Sequence, residues 1–126
     1  MKLIVFLLLL LPAVAFSECF VVGDLKGYST REAYNYEISD DGISSRKLIV
    51  EIDGQRSSVK PNNMSCTQAG KHTVLCVDAG DAGESTIETW AVYPEKGKAV
   101  YTKSMNGLGP FNGANLFVGN IEGRCN

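Results

Sequence analysis

The run Lys47-Leu48-Ile49-Val50-Glu51-Ile52-Asp53-Gly54 decides the fold class of this chain. Leu48, Val50 and Ile52 fall on one side of an extended backbone, and Lys47, Ile49, Glu51 and Asp53 fall on the other. A period of two marks a half-buried strand, because successive side chains point to opposite faces. Asp53-Gly54 then offers the dipeptide that best suits a two-residue hairpin turn. Gln55 to Val59 is the expected returning strand, ended by Lys60-Pro61-Asn62-Asn63.

The same period continues outward. Towards the C-terminus, Met64–Gln68 and Thr73–Val77 flank Ala69-Gly70-Lys71-His72, which reads as a second hairpin. After the turn Asp78–Gly83, the run Ser85–Tyr93 puts Glu88, Trp90 and Val92 on one face and Ile87, Thr89, Ala91 and Tyr93 on the other. Pro94–Gly97 is a turn, and Lys98–Met105 is the next strand, with Ala99, Tyr101 and Met105 opposite Val100. A long Gly/Asn-rich loop spans Asn106 to Asn115, and Leu116–Ile121 is the last strand. Towards the N-terminus, Phe20-Val21-Val22 is a short first strand ended by Gly23-Asp24. Residues 28–37 carry two signals: Ser29–Glu32 suits one helical turn, whereas Tyr34–Ile38 alternates. The expected fold is all-β: a small antiparallel meander of about eight short strands, curled into a barrel or sandwich because a one-faced sheet must bury that face.

The first seventeen residues have a different character. Met1-Lys2 is followed by the uncharged apolar run Leu3–Leu11, then Pro12 and the small-residue stretch that ends at Ser17. This is the layout of a secretory signal peptide, and the run is short of the ~20 residues of a bilayer span. Cleavage after Ala15 and after Ser17 both fit; the second leaves a single domain, residues 18–126, opening on Glu18. That domain carries eleven basic and fourteen acidic residues, a net charge of −3. Its basic residues are scattered, so nucleic acid is not an expected partner, and neither is stable membrane insertion after cleavage.

All four cysteines lie in the mature part. An even count in an exported chain reads as two disulfides. Cys66 and Cys76 sit symmetrically about the tip of the second hairpin and are paired on that ground; Cys19 and Cys125 then tie the first strand to the last. A zinc site needs close cysteine pairs or nearby histidines, and the chain has only His72, so neither a metal nor a cofactor is expected.

Catalysis has little to stand on. His72 falls at a hairpin tip, where it would be exposed and unoriented. Glu51, Asp53 and Glu88 could supply paired carboxylates for a small hydrolase, as acids in any acidic protein could. The loop at 106–115 stands out instead, with Asn106, Leu108, Phe111 and Asn112 as candidate partner contacts; the alternative is a plain connection whose Phe111 tucks into the core. Trp90 is expected in the core, and would be a contact aromatic if it faced solvent. Asn63-Met64-Ser65 fits the N-glycosylation sequon. These features favour a periplasmic or secreted non-enzymatic module that binds another exported or envelope protein, such as an inhibitor of a secreted hydrolase or a cell-envelope interaction domain. A small-ligand carrier lined by Val50, Ile52, Trp90 and Tyr101 is the second reading.

Overall fold

The computed structural model describes residues 17–125. The segment expected to be a signal peptide, apart from Ser17, lies outside them, as does Asn126. The domain is all-β. Its strands are β1 (Glu18–Arg31), β2 (Ser39–Ile43), β3 (Leu48–Ile52), β4 (Ser58–Lys60), β5 (Ser65–Gln68), β6 (Thr73–Ala79), β7 (Ser85–Tyr93), β8 (Lys98–Asn106) and β9 (Gly113–Arg124). All pairs are antiparallel, in the order β4-β3-β1-β9-β8-β7-β6-β5, and β2 pairs separately with β1. The sheet curls into a nearly closed barrel. At the seam, Gly54 N–H donates to Gln68 Oε1 at 2.9 Å, joining the β3–β4 turn to β5.

The periodicity identified the buried face correctly. Phe20, Val22 and Leu25 of β1, Leu48, Val50 and Ile52 of β3, Val74, Trp90, Val92, Ala99, Tyr101 and Phe117 form one continuous core. Trp90, Tyr101 and Phe117 lie opposite one another on β7, β8 and β9, with ring centroids 4.3 and 5.6 Å apart. The next residue in that row is Gly27 of β1. A Cβ there would come 1.9 Å from the Leu116 carbonyl oxygen, so only glycine lets β1 approach β9 this closely.

Both disulfides form as paired in the sequence. Cys66 and Cys76 are direct cross-strand neighbours, and Cys19 joins Cys125 across 106 residues. Two disulfides point to an oxidising, exported environment.

Four local expectations fail. β1 does not stop at Gly23-Asp24: a bulge there, with Asp24 at φ 55°, absorbs the turn signal and the strand runs on to Arg31. Asp53-Gly54 does not make a two-residue hairpin. Val50 pairs with Val59, leaving a wider turn in which Ser57 Oγ accepts the Asp53 N–H at 2.9 Å and donates to the Gly54 carbonyl at 2.7 Å. Tyr34–Ile38 is not a strand. The helical turn is present, but at Glu32–Tyr34, and Asn35 and Tyr36 follow at φ 53° and 58°. The 106–115 loop is shorter than expected, because Asn106 ends β8 and Gly113 opens β9, leaving only residues 107–112 between them. Among the described residues there are nine strands, because β2 branches off β1 beside the eight of the main path.

Candidate functional site

Two connections meet at one end of the barrel. The first, residues 32–38, leaves β1; the second, residues 107–112, links β8 to β9. Glu32 N–H donates to the Asn112 carbonyl at 2.8 Å, and the Asn112 side-chain amide donates to Glu32 Oε2 at 3.3 Å. Asn112 Oδ1 also accepts the Leu108 N–H at 2.7 Å, which closes the glycine-rich turn on itself. Below the loops, Arg31 donates to the Thr30 and Ala114 carbonyls at 2.7 and 3.1 Å and to Asn115 Oδ1 at 2.7 Å. The loops are thus anchored to each other and to the ends of β1 and β9.

What they present is apolar. Tyr34 is 71 %, Ile38 72 % and Phe111 66 % exposed, and Tyr36 also faces solvent. Phe111 therefore does not return to the core. Leu108 is half-buried within its turn, and Asn106 is exposed at the end of β8. Tyr36 holds a left-handed backbone, a conformation that costs a bulky residue roughly 1–2 kcal/mol and is concentrated at functional positions. Residues 32–45 include Glu32, Glu37, Asp40 and Asp41 and contain no basic residue, so the aromatic end has an acidic border.

This end continues into the outer wall. One outward row crosses six strands as Thr67, Leu75, Thr89, Thr102, Leu116 and Tyr28; the next runs Ser65, Val77, Ile87, Ser104, Ala114 and Thr30. None of these twelve positions is charged, although protein surfaces ordinarily hold charges at about a quarter to a third of positions. Thr89 and Thr102 hydrogen-bond hydroxyl to hydroxyl. Tyr28, Leu116 and Ile38 line a shallow apolar hollow of about 270 Å³ where wall and loops meet.

The other candidate groups are not brought together as a catalytic site. Trp90 is buried, so it offers no contact surface; its indole N–H donates to Glu88 Oε2 at 3.2 Å inside the barrel. Burial pushes the Glu88 carboxyl up, opposed by the Lys103 ammonium and the Trp90 N–H. The Tyr101 hydroxyl is raised by burial and by the neighbouring Glu88 charge. Glu51, between the inward Val50 and Ile52, faces outward, whereas Glu88 faces inward. Val50, Ile52, Trp90 and Tyr101 fill the interior. His72 corrects the sequence reading: it is half-buried, and its Nε2 lies 3.3 Å from Glu18 Oε1. Among the described residues no three His, Cys, Asp or Glu side chains converge as metal ligands, and no helix is long and apolar enough to cross a membrane. Asn63 of the sequon is exposed.

Sequence reasoning singled out the second loop but missed the first. Three of the five tyrosines lie in residues 28–36, and that density beside the turn signals Asn35 and Asp40-Asp41-Gly42 was the available signal. Comparison with known proteins returned no match among family models, curated proteins or solved structures.

Proposed function

We propose that this protein is an exported, periplasmic or secreted, protein-binding module whose contact surface is the paired-loop end together with the adjoining uncharged wall. The observation that carries the reading is the joined presentation of Tyr34, Tyr36, Ile38 and Phe111 by two mutually hydrogen-bonded loops. Tyrosine and phenylalanine supply large contact area at low conformational cost, and contiguous exposed apolar surface on a small domain marks interaction sites. Anchoring by Glu32, Asn112 and Arg31 reduces the ordering cost of binding. The acidic border at Glu37, Asp40 and Asp41 suits a partner with an apolar patch rimmed by basic side chains, and would speed their encounter.

The test is affinity capture from exported fractions with the oxidised protein, followed by reconstitution with each purified candidate. Wild type should bind one of them with a salt-sensitive association rate. Y34A/F111A should lose at least tenfold in affinity while keeping its melting temperature within a few degrees, because both side chains are mostly exposed. Equal binding by the variant would overturn the assignment of the surface.

A further inference from the structure

We infer that the opposite end of the barrel binds a small organic anion, a carboxylate or phosphate carried on a planar apolar body. Four separate segments converge there: the start of β1 with Glu18, the β5–β6 turn with Lys71 and His72, the β7–β8 turn, and the end of β9 with Arg124. They enclose a groove of about 580 Å³, within the range of small-molecule sites. Tyr93 and Pro94 give it an apolar wall, and Pro94 and Arg124 are shared with a second hollow of about 220 Å³.

Its polar groups are unevenly matched. The Glu18 carboxylate is already engaged, by His72 Nε2 at 3.3 Å and by Arg124 Nη1 at 3.2 Å. Arg124 is further held by Phe20, with its guanidinium carbon 4.9 Å from the ring centroid. The guanidinium is thus oriented before any ligand arrives, yet the side chain remains 63 % exposed, and among the described residues its remaining N–H groups have no partner. A planar fork fixed in this way matches a carboxylate or phosphate. Lys71 and Lys96 also line the groove, and among the described residues neither has a carboxylate within ion-pair distance, in contrast to Lys26 and Lys47. Glu95 is the one carboxylate of the groove outside these contacts. On a protein of net negative charge, this groove is a local excess of cations beside an aromatic wall.

The test is titration of the ¹⁵N-labelled oxidised protein with benzoate, phenyl phosphate, benzyl alcohol and benzylammonium, followed by amide chemical shifts. Saturable shifts at Lys71, His72, Tyr93 and Arg124 should appear with the two anions. Binding of the neutral and cationic analogues should be at least tenfold weaker. Stronger binding of phenyl phosphate would identify the site with phosphate esters, and stronger binding of benzoate with carboxylates. Because Arg124 also contacts Phe20, the decisive variant is K71A/K96A, which removes two exposed ammonium groups and should weaken anion binding about three- to tenfold. Y93A should weaken benzoate while sparing inorganic phosphate. The absence of saturable shifts, equal binding of all four probes, or unchanged affinity in K71A/K96A would overturn the inference. None of these outcomes depends on the loop surface at the other end.

Discussion

Asn112 and Glu32, 80 residues apart in the chain, hold each other through both backbone and side chain. Their contact converts two separate connections into one surface. It accounts for the firm hold on the glycine-rich turn 107–112, since Asn112 also caps the Leu108 N–H.

Replacing Asn112 by alanine should therefore loosen both loops at once. The loss of two side-chain hydrogen bonds near the surface should cost about 1 kcal/mol. Amide hydrogen exchange should rise across residues 32–37 as well as 107–112. Exchange that rises only in the mutated loop would show that the two move independently.

The buried Glu88 makes stability depend on pH in a specific sense. Its native pKa is raised above the ordinary 4.5, chiefly by burial, so the native state binds the proton more tightly than the unfolded chain does. Stability from this group is then present below pH 4.5 and is lost as pH rises through the native pKa. E88Q keeps an oxygen for the Trp90 N–H and removes the buried charge. It should be more stable than wild type at pH 7, by about 1–3 kcal/mol, and that advantage should shrink as the pH approaches 4.5. Urea unfolding of both proteins at the two pH values reads this directly. An advantage that grows towards acid would mean that the Lys103 contact outweighs desolvation.

The two disulfides should contribute unequally. In the chain-entropy model, closing the loop between Cys66 and Cys76 stabilises by about 3 kcal/mol, and closing Cys19 to Cys125 by about 4.7 kcal/mol. Denaturant unfolding of C66A/C76A and C19A/C125A should give that order. Reductant should lower the melting temperature of wild type below that of either variant under oxidising conditions. A larger loss in C66A/C76A would locate the stabilisation in the hairpin rather than in barrel closure.

The sequence by itself determined the parts of this protein that depend on neighbours in the chain. Alternation at Leu48–Ile52 and Ser85–Tyr93 needs only a strand and one buried face, and both strands form with the expected residues inward. Cys66 and Cys76 could be paired because a hairpin of known tip brings its own arms together. The turn at Asp53-Gly54 and the strand end at Gly23-Asp24 were misread because the same residues also serve wider turns and bulges. Partners elsewhere in the fold select between these, as Val59 does for Val50 and β9 does for β1.

Only the tertiary structure decided which distant segments share a surface. Phe111 was visible as an oddity, but its loop joins the one that carries Tyr34, Tyr36 and Ile38 only through the Glu32–Asn112 contact, made because β1 and β9 are neighbours in the barrel. His72 read as a bare hairpin tip until Glu18, 54 residues earlier in the chain, lay against it. Local pattern records what each segment must bury. It carries almost no trace of which distant segments will share a surface, because that is settled by the closing of the sheet and the packing of its core.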